Sequence, residues 1–309
     1  MRNLLIEKEH HAHIHRVADY IETHLTADLS LEELSKLSAF SPYHFHRIFK
    51  AVMNENLHRF ITRLRVEKAS KLLTFHPERT ISDIAMESGL QSSAHFSRTF
   101  RTYTGLSPTE YRRRYHLQAI TSRFWSQSVP EGEHEERLQL LERKYSQLRI
   151  RIEHFPDRQA VCVRYQGTVN TGKYNEDVAK AYEKAGQWLM ARDLHRRDTM
   201  YIGLVHNDPY VTPASRHRFS ACVTTDAVCG VGEEVEPIVI PGGKYAVIRL
   251  EERDDVTRDL IYLAHTQWLP VSPYLWDSSR HSMVINLWKP LSDSQVLFGL
   301  DFCIPVRPK

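Results

Sequence analysis

Along the first third of the chain, apolar residues recur at helical spacing; in the back half they alternate. Ile14, Val17, Ala18, Ile21 and Leu25 form one face of a helix over residues 13–26. Ser30 then opens Ser-Leu-Glu-Glu, with Glu33 three residues on, a capping box that starts a short helix at Leu31 and ends near Ser38. Ser41-Pro42 begins the next helix, Ser as cap and Pro in the first turn, with Phe45, Ile48 and Phe49 as its buried stripe. Two short helices joined this closely predict a helix-turn-helix. A longer helix follows over Leu57–Thr74, carrying Leu57, Phe60, Ile61, Leu64, Ala69, Leu72 and Leu73, and Pro77 stops it.

The pattern then repeats. Thr80 caps a second start, and Ile81, Ile84, Ala85, Gly89 and Leu90 match Leu31, Leu34, Ser35, Ala39 and Phe40 at an offset of 50. After the turn the offset is 51, pairing Ser41, Phe45, Arg47 and Phe49 with Ser92, Phe96, Arg98 and Phe100. Two helix-turn-helix units are expected, one on each side of the long helix. Their second helices offer Tyr43, His44, His46, Arg47 and Lys50 in the first unit, and Ser93, Ala94, His95, Arg98 and Arg101 in the second. Such a helix fits a major groove about 12 Å wide, where Arg can pair with both acceptors of guanine. Lys50 and Arg101, later on each helix, suit phosphate. A plain helical bundle with solvated arginines explains one such unit well, but two matched units poorly.

Beyond residue 149 the period becomes two. Ile150, Ile152 and His154 alternate, and Ala160–Tyr165 reads as a Val-rich strand. Val178, Ala181, Tyr182, Ala185 and Leu189 mark a helix, and strands follow over Met200–His206 and Arg218–Thr225. The order recurs. Pro156 with Val161–Arg164 matches Pro241 with Ala246–Arg249, and Gln187-Trp188-Leu189 matches Gln267-Trp268-Leu269. Strands at Met283–Trp288 and Leu297–Pro305 complete the second copy. The fold class expected is therefore multidomain: an all-α double helix-turn-helix head, then an α+β domain made of a duplicated β-α-β-β unit. The domain limits expected are 10–114, a charge-rich linker over 115–148, and 149–307.

Composition sharpens this only through its placement. The net charge of +3 excludes a strongly basic nucleic-acid coat. Yet residues 1–116 hold 17 Lys and Arg against 13 Asp and Glu, and the remainder 24 against 25, so the excess lies in the head. Arg112–Arg114 is a short cationic run, read either as a phosphate contact or as solvated. The cysteines at 162, 222, 229 and 303 have no C-x-x-C spacing and read as small buried apolar residues. There is no long apolar run, and the first residues turn charged at once, so a cytoplasmic chain with no membrane contact is expected. His10, His11, His13 and His15 look like a metal tract, and His11 and His15 share a face. No partner sits at zinc spacing, so the tract reads as a frayed, solvated N-terminus, with neither metal nor cofactor expected.

The texts SLEELSKLSAFSPYHFHRIFK, TISDIAMESGLQSSAHFSRTFR and TGLSPTEYRRR make residues 13–114 resemble the DNA-binding domain of the AraC/XylS family of bacterial transcription regulators. The resemblance implies base reading by Tyr43, His46 and Arg47, then by Ser93, Ala94, His95 and Arg98. Ala94 departs from the long polar residue common there and leaves only a thymine methyl to touch. Ala39 replaces the family's turn glycine, which Gly89 keeps. Two units on one stiff helix would enter successive major grooves, about 34 Å apart.

Residues 149–307 resemble the GyrI-like effector-binding domain, through Gly203-Leu204-Val205, Ile240–Leu250 and Thr266–Trp276. That resemblance implies a small-molecule effector in an aromatic cleft, with candidate lining residues Tyr165, Trp268, Tyr274, Trp276, Val284 and Trp288. Val284 falls where many relatives carry a Glu that pairs with a cationic ligand, so apolar ligands, neutral or weakly charged, are expected. Trp188 and Trp268, ending matched helices, also suit core packing. The function expected is a DNA-binding transcription regulator, not an enzyme, acting on double-stranded DNA as monomer or dimer, with RNA polymerase left open as a further partner. A tail that is a hydrolase, using Glu251, Glu252 or Asp208 as base, or that only recruits a protein partner, is the alternative.

Overall fold

In the computed structural model the described residues are 2–76, 78–90, 92–115, 134–167, 176–207, 212, 214–227, 235–250, 260–261, 263–287 and 299–309. The chain divides into two compact units, Met1–Thr121 and Ser122–Lys309.

The first unit is helical: α1 (Arg2–Thr23), α2 (Leu31–Ser38), α3 (Pro42–Met53), α4 (Leu57–Phe75), α5 (Ile81–Glu87), α6 (Ser93–Thr104) and α7 (Pro108–Tyr115). Six of these starts rest on a side-chain cap, which satisfies a backbone N–H the helix leaves orphaned, Ser107 ahead of α7 accepting from the N–H of Glu110 (3.3 Å). Ser30 accepts from the N–H of Glu33 (3.4 Å), Ser41 from His44 (3.4 Å), Asn56 from Arg59 (2.9 Å), Thr80 from Asp83 (3.1 Å) and Ser92 from His95 (3.2 Å). Only half of the box expected at Ser30 forms, because the Glu33 carboxylate turns to Lys36 instead. α4 is the shared spine. Phe60, Val66, Ala69 and Leu73 on it are fully buried; Phe49 meets Phe60 edge-on at 5.3 Å, and Phe100 meets Tyr111 at 5.2 Å.

The two helix-turn-helix turns are built alike. Phe40 N–H donates to Ser35 O and Leu90 N–H to Ala85 O, each a bond closing back over the helix end. Such a turn needs a left-handed residue, and Ala39 (φ 56°) and Gly89 (φ 80°) supply it. Ala39 carries a Cβ in a conformation that costs an L-residue roughly 1 kcal/mol relative to Gly. Ala39→Gly is therefore expected to stabilise the unit by about that amount, read as a raised urea midpoint with unchanged m-value.

α4 also carries a buried ionic cluster. Arg63 donates from Nε to Glu55 Oε1 (3.0 Å) and from Nη1 to Glu67 Oε1 (2.6 Å), and its Nη2 pairs with Glu55 as well. All three are nearly inaccessible, at 3%, 6% and 4% exposure for Arg63, Glu55 and Glu67. Burial works against the charge of Arg63, but the two carboxylates outweigh it, so the guanidinium holds its proton more tightly than in water.

The first described element of the second unit is α8 (His134–Gln147), inside the stretch expected as a linker; its Leu141 is buried in the core of that unit. Then come β1 (Ile150–Phe155), β2 (Arg158–Gln166), α9 (Glu176–Met190), β3 (Tyr201–Val205), β4 (Arg218–Thr224), β5 (Glu236–Ile240) and β6 (Gly243–Leu250). A π-helical turn (Ala264–Trp268) running into Leu269–Val271, then β7 (Tyr274–Trp276), β8 (Ser282–Asn286) and β9 (Leu300–Pro308), complete it. The antiparallel sheet runs β1-β6-β9-β8-β3-β4-β2-β5, with β7 beside β9. That order reads the same from both ends once β1, β2, β3 and β4 are equated with β5, β6, β8 and β9. The duplication seen in the sequence is thus a pseudo-twofold in the sheet. Its axis passes between β3 and β8, where Gly203 faces Val284.

One sheet face carries the helices. α9 packs its Ala181, Tyr182, Ala185 and Leu189 onto Val161, Phe219, Ala221 and Val223. In the second half, Leu260, Ile261, Ala264 and Leu269 pack onto Ala246, Ile248, Phe302 and Ile304. The other face gathers Ile202, Leu204, Met283 and Ile285 with Cys162, Cys222 and Cys303. These three cysteines are buried thiols outside any disulfide, as expected for small apolar residues; Cys229 lies outside the described residues. Burial pushes the Cys303 thiol up, so it stays protonated. Among the described residues no helix is long and apolar enough to cross a membrane.

Candidate functional sites

The second helices of the two helix-turn-helix units, α3 and α6, present what the sequence assigned to them. On α3, Tyr43 is 81% exposed, and His46, Arg47 and Lys50 are exposed beside it, while Phe45, Ile48 and Phe49 face inward. On α6, Ser93, Ala94, His95, Arg98 and Arg101 are all exposed, while Phe96 and Phe100 are fully buried. A 3.6-residue repeat with aromatics every fourth position buries one stripe and leaves the cationic stripe to solvent. Both helices end in a left-handed residue, Asn54 and Gly105, and both begin on a serine cap, so each cationic face is held on a helix of 12 residues with fixed ends.

His44 differs from the rest. It is half-buried, with its ring edge-on to Phe40 at 5.2 Å and to His10 of α1 at 5.5 Å. His10 also meets Phe40 at 5.1 Å, and His13 meets it at 5.6 Å. The N-terminal histidines are therefore not a frayed tail. They lie on a continuous helix, and two of them wedge α1 against the start of α3. The signal was present, since His10 stands four residues before Ile14 and extends the stripe of Ile14, Val17 and Ile21. His11 and His15 do share a face, with rings 6.1 Å apart.

The cationic run at 112–114 splits. Arg112 donates from Nη2 to the carbonyl of Arg79 (2.7 Å) and pins α7 to the loop before α5, whereas Arg113 and Arg114 are exposed. Sequence reasoning also missed Arg65, whose Nε donates to the Leu25 carbonyl (3.0 Å) and ties α4 to the segment after α1.

In the second unit, four of the six candidate ligand residues gather. Trp268, Tyr274, Trp276 and Val284 all pack, partly exposed, against the same second-half cluster. Tyr165 packs against the first-half cluster instead. Trp288, and the carboxylates Glu251, Glu252 and Asp208, lie outside the described residues. Trp188, at 8% exposure, is core, and the Arg192 guanidinium stacks over its ring at 4.2 Å. The acid buried in this unit among the described residues is Asp301, held on the opposite sheet face by Arg249 Nη2 (3.0 Å) and Arg151 Nη2 (2.7 Å).

A head of two helix-turn-helix units and a tail of two mirrored halves define a two-domain architecture, and known proteins share both parts. Residues 34–114 match the helix-turn-helix domain family, and residues 148–289 match the GyrI-like small molecule binding domain. The chain joins a helix-turn-helix domain of the AraC type to a GyrI-like domain. It is 40% identical over 99 residues to an uncharacterised HTH-type transcriptional regulator of Staphylococcus aureus strain COL, covering 32% of this chain and 13% of that protein. It is 34% identical over 96 residues to the bifunctional transcriptional activator/DNA repair enzyme AdaA of Bacillus subtilis strain 168, covering 31% of this chain and 45% of that one. The chain thus spans about an eighth of the staphylococcal relative and less than half of AdaA. Among solved structures, the C-terminal domain of AraT, a response regulator from Geobacillus stearothermophilus, is 28% identical with a TM-score of 0.33, covering 40% of this chain and 95% of that one.

Proposed function

We propose that the chain is a one-component transcription regulator. Residues 10–114 read double-stranded DNA, and residues 149–307 bind a small apolar effector that changes how the head holds its operator. The observation that carries this is the matched pair of exposed cationic helix faces on α3 and α6, fixed by the single helix α4. Base reading falls to Tyr43, His46 and Arg47, and to Ser93, Ala94, His95 and Arg98. Lys50 and Arg101 contact phosphate, and His44 positions α3 from behind. The tail acts by binding and not by catalysis, and the protein works in the cytoplasm, where the bound operator alters access for RNA polymerase.

Arg47→Ala and Arg98→Ala are each expected to weaken specific operator binding by about 1–3 kcal/mol and to relax specificity at one base position. Lys50→Ala is expected to weaken binding to all sequences alike and to reduce the salt slope by about one ion. Fluorescence anisotropy across a salt series reads all three. A slope of zero in the unsubstituted protein rules out the DNA-binding reading, and equal operator affinity with and without saturating effector rules out sensing.

A further inference from the structure

The two halves of the tail sheet share their framework but differ at one end of the central strand pair. The register equates Arg164 opposite Ser220 in the first half with Arg249 opposite Asp301 in the second. It likewise equates Leu204, opposite Ser220, with Ile285, opposite Asp301. One residue beyond the ladder pair of Val205 with Ser282 stand His206 and His281. One residue beyond the other end, where Tyr201 pairs with Asn286, stand their mirror images, Met200 and Leu287. The mirrored end is met by two apolar side chains, so the strand pair itself does not call for imidazoles. A second difference points to the same place. Asp301 is held by Arg249 and Arg151, whereas its counterpart Ser220 is fully buried, with its Oγ 2.7 Å from His206 Nε2. Arg164 Nη1 donates to the same hydroxyl (3.4 Å), and Glu236 answers its charge, with Nε 3.4 Å from Oε2.

From this juxtaposition we infer that His206 and His281 form a binding site for a divalent transition-metal ion of the zinc class. Their rings lie 4.7 Å apart, centroid to centroid, at 58°, and a nitrogen of one comes within 4.8 Å of a nitrogen of the other. Two nitrogens on one Zn2+, each about 2.0–2.1 Å from it, stand roughly 3.4 Å apart. His206 is buried and anchored to Ser220; His281, partly exposed just before β8, is the ring that turns to close the difference. Imidazole suits Zn2+, Ni2+ and Cu2+, whereas the hard cations Mg2+ and Ca2+ take oxygen ligands. Ser220 supplies the outer contact that such sites use. A hydroxyl accepting from Nε2–H fixes the tautomer whose Nδ1 carries the lone pair, and fixes the ring orientation with it. The two histidines come from opposite halves, so a bound ion ties the halves together across the pseudo-twofold, with water completing its shell.

The test is Zn2+ binding by the full, untagged chain, read by equilibrium dialysis and by thermal unfolding. Every chain carries His15→Gln, which removes the histidine pair of α1, His11 and His15, as a rival site. The His15→Gln chain is expected to take up one Zn2+ and to show a raised thermal midpoint with it, while Mg2+ at the same concentration gives neither. Adding His206→Gln or His281→Gln is expected to weaken uptake by about a hundredfold and to remove the thermal shift. Ser220→Ala, which keeps both ligands, is expected to weaken uptake about tenfold. His281 is partly exposed, so its variant keeps the test open where His206→Gln fails to fold. Uptake that survives His281→Gln, or that Mg2+ matches, overturns the site. So does failure of the His15→Gln chain to bind Zn2+.

Discussion

Arg63→Ala is expected to cost the head about 3–5 kcal/mol, because it strands two carboxylates in a dry interior. The partners are Glu55, in the turn between α3 and α4, and Glu67, one turn further along α4. With the guanidinium gone, each carboxylate keeps its desolvation cost and loses the charge that offset it. Replacing all three with apolar residues of similar size, Glu55→Leu, Arg63→Met and Glu67→Leu together, should recover most of the loss, because the cluster contributes little net stability over a packed apolar one. Urea unfolding of the single and triple variants checks both the loss and its recovery. A single variant within about 1 kcal/mol of the parent would show that water reaches the cluster.

Gly89→Ala is expected to cost roughly 2–4 kcal/mol, from backbone strain and a collision together. At φ 80° a Cβ is disfavoured anywhere, and here it would lie 2.1 Å from the Leu25 carbonyl oxygen and 2.8 Å from Arg65 Nε. Those two atoms are hydrogen-bonded to each other, so neither can move without breaking the tie between α4 and the segment after α1. Gly89→Asn should do no better, because asparagine tolerates the left-handed backbone but brings the same Cβ. Gly105 is the control. It has a similar φ of 77° with nothing within 4 Å of an added Cβ, so Gly105→Asn should cost only about 1 kcal/mol. Equal losses at the two glycines would show that backbone strain alone matters.

That contrast also explains a departure visible in the sequence. The two helix-turn-helix turns share their hydrogen bonds, yet one uses Ala39 and the other Gly89. The requirement for a left-handed residue was legible from the repeat; the carbonyl waiting above Gly89 comes from Leu25, 64 residues away, and no local pattern announces it. The same division holds elsewhere. Caps, apolar stripes and the doubled tail could be read directly, because each depends on residues a few positions apart. The Arg63 cluster could not, because its charges fall among apolar positions of α4 and reach back eight residues to Glu55. β5 was missed because Pro237 disguises it, which an edge strand tolerates, and β7 because three residues carry no period. Of the ligand candidates, aromatic type was legible but convergence was not. Tyr165 and Trp276 look alike in the sequence and lie in different halves of the sheet.

The pairing within the tail has one more consequence. β1 precedes β2 in the chain but pairs with β6, and β5 precedes β6 but pairs with β2. Each half therefore lends its leading strand to the other. A single half, cut out between β4 and β5, would leave the edge of β2 bare and its own β1 without a neighbour. Two such fragments would complete one another only by reciprocal strand exchange, as a domain-swapped pair does. Joining the halves in one chain turns that exchange into an intramolecular closure, at the cost of long-range pairings that slow folding. The tail is in this sense a dimer locked into one polypeptide.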